Sequence, residues 1–251
     1  MPKVTLPPKI RIDQALVDLG LSPTKSRAAA LIMAGKVYEG TRKVLKAGEF
    51  TRTPENLHLK ESDHPWVSRG GLKLCKALES FSIDPKGKIA MDVGSSTGGF
   101  TDVLLHYGAS KVFAVDVGKG QLDWKLRQDT RVVVMEGVNA RYLTQEQVPD
   151  LLDLIVCDAS FISLKSILPS PMALAAPNAW LVALIKPQFE VGKDLVGKGG
   201  IVRDPDLHAQ VVQDMVSWMS ACPGWHVVGT TESPIEGAKG NKEFLLVAQR
   251  K

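Results

Sequence analysis

Ile89-Ala-Met-Asp-Val-Gly-Ser-Ser-Thr-Gly-Gly-Phe100 is the stretch whose reading decides the fold of this chain. An apolar strand ends in an acid, opens into a turn of Gly, Ser and Thr, and enters a helix. The next apolar run, Val112-Phe-Ala-Val115, closes on a second acid, Asp116. A carboxylate there suits a ribose diol, because both hydroxyls can donate to it. This layout belongs to an open α/β sheet that holds a nucleoside-bearing cofactor. It departs from the phosphate-gripping G-x-G-x-x-G, since Ser96 stands where that pattern wants its second glycine. A phosphate-free cofactor such as S-adenosylmethionine therefore fits better than NAD.

Strands and helices alternate around that stretch. Apolar runs predict strands at Ile89–Val93, Val112–Val115, Val132–Met135, Leu154–Cys157, Leu181–Ile185, Val227–Thr230 and Phe244–Ala248. Helices fall between most of them, clearest at Phe100–Tyr107 and at Asp206–Ser220, where Asp204-Pro205 supplies the cap and first turn. Such alternation implies a doubly wound, mostly parallel sheet. The segment Glu232–Lys242 is too short for a crossover, so the last strand is expected to return as an antiparallel hairpin partner.

Ahead of this domain lies a smaller one. Arg11–Leu19 carries Ile12, Leu16 and Leu19 at helical spacing, and Ser22-Pro23 reads as an N-cap and first turn. The following helix presents Ala28, Leu31 and Ile32, and Gly35 ends it in the left-handed conformation. Lys36–Val44 reads as short strands about Glu39-Gly40, and Asn56–Leu59 as another. The two-helix, small-sheet module of roughly fifty to sixty residues is large enough to fold alone. The polar, proline-containing Glu61-Ser-Asp-His-Pro65 is the expected linker, dividing the chain into domains 1–62 and 63–251.

Totals exclude several classes. The chain has 251 residues, of which 44% are hydrophobic, enough for a sizeable core. No uncharged apolar run reaches the length of a membrane span, and the N-terminus lacks the pattern of a secretory signal. The three cysteines, Cys75, Cys157 and Cys222, lie far apart without C-x-x-C spacing, so neither disulfides nor a metal site is expected, and a reducing cytoplasm is. Residues 1–66 hold eleven Lys/Arg against seven Asp/Glu, whereas residues 67–251 hold twenty of each, so the net charge of +4 resides in the small module. Lys25, Arg27, Lys36, Arg42, Lys43 and Lys46 cluster there. Such a module either contacts a polyanion or presents a solubilising surface, and charge alone does not choose.

Candidate chemistry gathers at one sheet edge. In open α/β sheets ligands bind outside the carboxyl ends of the strands, where Asp92, Asp116, Asp158 and Lys186 all fall. Each alone is read as easily as a cap or a solvated charge; four on one edge are less easily dismissed. A lysine among carboxylates keeps its proton unless burial or a second cation favours the neutral form. Ser68-Arg-Gly-Gly-Leu-Lys73 places paired glycines before a helix with Lys73 on its first turn, and Gly237–Glu243 places Glu243 at the start of the last strand. A surface lysine and a strand-edge acid are the bland alternatives. Val191–Arg203, glycine-rich and basic, is either a mobile flap or a loop that orders a substrate.

Taken together, SRGGLKL, DVGSSTGGFTD, AVDVGKGQL, CDASFISL, IKPQFE, GKGGIVRD and GNKEFL make the chain resemble the TlyA family of ribosomal RNA 2′-O-methyltransferases, over nearly its whole length. The larger domain is similar to the FtsJ group, the smaller to the S-four RNA-binding domain. The resemblance implies a Lys-Asp-Lys-Glu catalytic set at Lys73, Asp158, Lys186 and Glu243, with Lys186 taking the proton from the 2′-hydroxyl of a cytidine. It implies S-adenosylmethionine held by Asp92, by backbone at Gly94, Ser95, Thr97, Gly98 and Gly99, and by Asp116. Asn139 either contacts the adenine edge or makes an Asx-turn. Ser95-Ser96, where many methyltransferases have Gly-x-Gly, is a departure that this subfamily shares. The expected partner is ribosomal RNA or a ribosomal subunit, met by the basic cluster and Arg69. Other readings are an inactive RNA-binding protein, an NAD enzyme, and the haemolysin label that relatives carry. No export signal or cationic amphipathic helix supports the last.

Overall fold

The computed structural model describes residues 8–33, 35–60 and 64–251. The Pro-rich tail through Pro7 and the first three residues of the expected linker, 61–63, lie outside the described residues. The chain divides into two compact units, Met1–Asp63 and His64–Lys251.

In the first unit, helices α1 (Ile12–Asp18) and α2 (Lys25–Met33) pack against each other. A two-residue pair joins β1 (Ile10–Arg11) to β4 (Phe50–Thr51). A second antiparallel sheet runs β3 (Arg42–Lys43), β2 (Val37–Glu39), β5 (Leu57–Leu59). Ile12, Leu16, Ala28, Ile32, Val37, Val44 and Leu57 form the core. Leu31 of the expected apolar face is only half-buried. The cap of α2 is Thr24 rather than Ser22: Thr24 Oγ1 accepts from the Arg27 amide at 3.2 Å. Ser22 instead donates to the Thr24 carbonyl, and Pro23 stands ahead of the first turn. Gly35 takes φ +69, and a side chain there would collide with that of Lys43.

The second unit is built on a seven-stranded sheet, ordered β11 (Trp225–Glu232), β12 (Phe244–Arg250), β10 (Ala175–Ile185), β9 (Leu152–Cys157), β6 (Ile89–Val93), β7 (Lys111–Asp116), β8 (Val132–Glu136). The five strands from β10 to β8 are parallel, and β12 runs antiparallel to both β10 and β11. The mostly parallel sheet with a final antiparallel strand is therefore as the sequence predicts. All seven strands appear, most of them longer than their apolar runs. The largest difference is β10, which begins at Ala175 rather than Leu181 and carries an irregularity between Ala175 and Trp180. Pro177 and Asn178 hide that extension from propensity, and pairing with β9 creates it.

Alternation along the strands sends side chains into two cores. Met91, Val93, Phe113, Val115, Ile155 and Cys157 face one layer; Ala90, Val112, Ala114, Leu154 and Val156 face the other. Helices α3 (Gly71–Ser80), α4 (Gly99–His106) and α5 (Trp124–Arg127) bury Leu74, Leu104 and Leu126 in the second. Helices α6 (Leu164–Ile167), α7 (Pro169–Ala173) and α9 (Pro205–Ser220) cover the first, and α8 (Pro187–Glu190) follows β10 directly. Asp204 caps α9 as its sequence predicts, accepting from the Asp206 amide at 2.9 Å. Among the described residues no helix is long and apolar enough to cross a membrane.

Candidate active site

The chain leaves β6 toward β7 and β8 on one side, then returns to place β9 on the other. Loops that follow β6 and β9 thus part at a topological switch point, where such sheets hold ligands. Register finishes the alignment. Val93 pairs with Cys157, so Gly94 and Asp158 emerge side by side; Ile185 pairs with Phe244, so Lys186 and Glu243 do the same. Gly94, at φ +80, lies so close to Ala159 that a Cβ would sit 2.9 Å from its Cα. Gly99 leaves no room either, since a Cβ would collide with Ser68 Oγ and meet the Gly71 amide at 3.1 Å. The two glycine turns pack back to back, and that contact carries Lys73 to the crevice.

Lys73, Asp158, Lys186 and Glu243 come together as one ion-paired chain. Lys186 Nζ lies 2.7 Å from Asp158 Oδ1, Lys73 Nζ 3.2 Å from Asp158 Oδ2, and Lys73 Nζ 2.7 Å from Glu243 Oε2. Both lysines and Glu243 are buried. The surface-lysine and strand-edge readings of Lys73 and Glu243 are therefore set aside. Asp158 bridges the two lysines, and of these Glu243 pairs with Lys73.

Two cavities meet here. The first, about 370 Å³, is walled by the four-residue chain and by Arg69, Asp92, Gly94, Ser95, Thr97 and Gly99. The second, about 680 Å³, opens between Asp116, Gly118, Asn139 and Ile162. Gly94, Ser96, Asp158, Ser160 and Phe161 line both. Asp92 sits at the floor, 1% exposed. Its Oδ2 accepts from the Thr101 amide and hydroxyl at 2.9 and 2.7 Å, whereas Oδ1 is buried with no partner. Burial pushes its carboxyl up to about 7, against the Thr101 hydrogen bonds and aided by Asp158 and Asp116. Asp116 Oδ1 and Oδ2 accept from the Gly118 and Ser96 amides at 2.7 and 2.8 Å, bending both loops around the second cavity.

One expected contact is placed differently, and one stated alternative is resolved. Gly98, at φ +96, turns away from the cavities: a Cβ would strike Leu122 and Leu126, so this glycine shapes the turn from behind. Asn139 makes the Asx-turn, its Oδ1 accepting from the Arg141 amide at 3.1 Å, while its side chain borders the second cavity. The basic residues of the first unit remain on its surface, with Lys36 half-buried. Arg42 is engaged by Glu39 and Glu49 at 2.6 and 2.7 Å, which reduces what it offers an anion. Val191–Arg203 is tied to the loop ahead of Glu243: Asn241 accepts from the Val202 amide at 3.1 Å and donates to the Gly200 carbonyl at 3.0 Å.

Sequence reasoning passes over Ser160, Phe161 and Glu190. Phe161 is 90% exposed at φ +65, its ring 5.1 Å from that of Phe189. Glu190 accepts from Ser163 Oγ at 2.6 Å and the Leu164 amide at 2.8 Å, fastening the Asp158–Ser163 loop to α8, and its burial pushes the carboxyl up. The CDASFISL and IKPQFE motifs contain all three, but nothing local assigns their contacts.

Acids at the ends of two neighbouring parallel strands, facing a lysine–carboxylate chain across a divided cavity, mark a doubly wound enzyme that moves a small group from a nucleoside-bearing donor. The FtsJ-like methyltransferase family model matches residues 66–250, and the chain belongs to that family. It is 48% identical over 239 residues to the 16S/23S rRNA (cytidine-2′-O)-methyltransferase TlyA of Mycobacterium tuberculosis, covering 95% of this chain and 89% of that one. It is 41% identical to Hemolysin A of Brachyspira hyodysenteriae, covering 94% and 98%. A solved structure from Streptococcus thermophilus that bears a hemolysin label superposes with a TM-score of 0.74 at 41% identity, covering 98% and 90%.

Proposed function

We propose that the protein methylates the ribose 2′-hydroxyl of a cytidine in ribosomal RNA, with S-adenosylmethionine as donor and the first unit as an S-four-type RNA-binding domain. The observation that carries this reading is the continuous ion-paired chain Lys186–Asp158–Lys73–Glu243 lining the first cavity, with Asp158 also lining the second. The 48% identical relative named as a 16S/23S rRNA (cytidine-2′-O)-methyltransferase supplies the substrate class.

The site's residues suit this donor. The unpartnered Asp92 Oδ1 is an acceptor for an ammonium group, and backbone at Gly94, Ser95, Thr97 and Gly99 follows the methionine portion. Each Asp116 oxygen keeps acceptor capacity for a ribose hydroxyl, and Asn139 borders the space for adenine. When bound, the donor supplies an electrophilic methyl group.

The remaining work falls to the chain itself. Lys186 removes the 2′-hydroxyl proton, Asp158 fixes its Nζ, and Lys73 draws the second Asp158 oxygen away so that its charge is shared. Glu243 anchors Lys73. Holding the hydroxyl in near-attack geometry contributes alongside the base. Exposed Lys25, Arg27, Lys43 and Lys46 hold RNA by phosphates and shape rather than by base sequence, with Arg69 at the cavity rim, and the target base leaves its stack to reach Lys186.

Replacing Lys186 by Ala tests this. Methyl transfer to ribosomal subunits is expected to fall by about 10²–10⁴-fold, with binding of S-adenosylhomocysteine retained in calorimetry. Transfer at the wild-type rate by that variant rejects the assigned base.

A further inference from the structure

Three oxygens surround Lys186 Nζ: Asp158 Oδ1 at 2.7 Å, Ser160 Oγ at 2.8 Å and the Asp158 carbonyl at 3.2 Å. A carboxylate and a carbonyl can only accept hydrogen bonds, whereas a hydroxyl both accepts and donates. Of these neighbours, Ser160 alone can hand a proton to the nitrogen. Its position adds a second constraint. Lys186 is buried at 6% exposure, while Ser160 is exposed and lines both cavities, at the place where a donor methyl and a ribose would meet. Both residues line the first cavity, and an incoming hydroxyl therefore meets Ser160 Oγ as the more exposed of two groups that lie 2.8 Å apart.

We propose that Ser160 is a catalytic proton relay between the 2′-hydroxyl and Lys186. The relay rests on the methyl-transfer reading above and adds to it a residue outside the Lys-Asp-Lys-Glu set. Lys186 enters as the amine. The O2′–H bond breaks as its proton passes to Ser160 Oγ, and the Oγ–H bond breaks as that proton passes to Nζ, leaving Ser160 neutral and Lys186 an ammonium. The electron pair left on O2′ forms the new bond to the methyl carbon, whose bond to the sulfonium breaks to leave a thioether. Lys186 then returns its proton to solvent through the same hydroxyl, which the exposure of Ser160 permits. Two protons are thus in flight during transfer, where direct attack by Lys186 would move one.

The test uses the full-length protein, ribosomal subunits as substrate and saturating S-adenosylmethionine, with single-turnover rates in mixtures of H₂O and D₂O. Ser160→Ala is expected to slow transfer at least about 100-fold, with S-adenosylhomocysteine affinity and melting temperature unchanged. Ser160→Thr restores the hydroxyl and is expected to recover most of the rate. The wild-type rate should curve with deuterium fraction, as two moving protons require, and the residual Ser160→Ala rate should follow a straight line. A Ser160→Ala rate within about threefold of wild type overturns the relay, as does a slowed variant that keeps the wild-type curvature. Cofactor binding by a wild-type protein that methylates no ribosomal RNA would strike the substrate reading itself, whereas an active wild type with an undiminished Ser160→Ala variant strikes only the relay.

Discussion

Asp92 and Glu243 are both buried acids, yet their surroundings treat them differently. Glu243 has Lys73 at 2.7 Å; Asp92 has only Thr101, with one oxygen unpartnered. A carboxyl raised to about 7 in the folded state binds more protons there than in the unfolded chain, so its contribution is complete below the ordinary carboxylate range and is lost as pH rises through 7. In thermal melts without ligand, wild type should therefore lose stability relative to Asp92→Asn between pH 4 and 7 and level off above 8; a difference independent of pH would contradict this. Lys73 makes a separate case. Removing it strands Glu243 in the interior, so Lys73→Met should cost about 3 kcal/mol in denaturant unfolding. Adding Glu243→Leu should recover much of that loss while methyl transfer stays absent. Strict additivity of the two losses would show that the pair is not coupled.

At the scale of elements, a second strand-end acid besides Asp116 holds the loop that borders the second cavity at Gln121. Glu136, at the end of β8, pairs with Arg127 and accepts from the Gly120, Gln121 and Leu122 amides at 2.7, 2.9 and 3.1 Å. The Arg127 hydrogen bond, with those amides, holds its carboxyl down at about 2. The sign is opposite to that of Asp92: the stability is present above the ordinary carboxylate pKa and lost as pH falls through 2. Glu136→Gln should cost about 1–2 kcal/mol at pH 7, with the difference from wild type shrinking between pH 4.5 and 2. A gap that persists at pH 2 would assign the effect to packing instead. Elements also show where local reading stops. Thr24 displaces Ser22 as the cap of α2 because helical geometry starts at Lys25, and β10 outruns its apolar segment because β9 lies beside it. Capping chemistry and propensity identify that an element exists; neighbours set its ends.

Over the whole molecule, charge is divided by unit. In the RNA-binding role proposed for the first unit, the excess of basic residues in positions 1–66 would act through the ion atmosphere of a polyanion, so its signature is salt dependence. Substituting Lys25, Lys43 and Lys46 together by Ala should weaken ribosomal RNA binding and lower the slope of log affinity against log salt by about 0.7–0.9 for each phosphate no longer neutralised, leaving S-adenosylhomocysteine binding unchanged. An unaltered slope would move the RNA-binding surface elsewhere.

The sequence by itself determined the α/β class, all seven strands of the large sheet, the return of the last one, and the edge on which the candidate residues fall, because apolar periodicity and turn chemistry act within a few residues. Lys73, Asp158, Lys186 and Glu243 could be named from their motifs, but their order along the ion-paired chain could not. That order follows from strand register and from the packing of one glycine turn on another, which join segments up to 170 residues apart in sequence. Only the tertiary structure decided that Asp158 bridges two lysines, that Gly98 faces away, and that Ser160, within hydrogen-bond reach of Lys186, lines both cavities, since each depends on loops that do not encode one another.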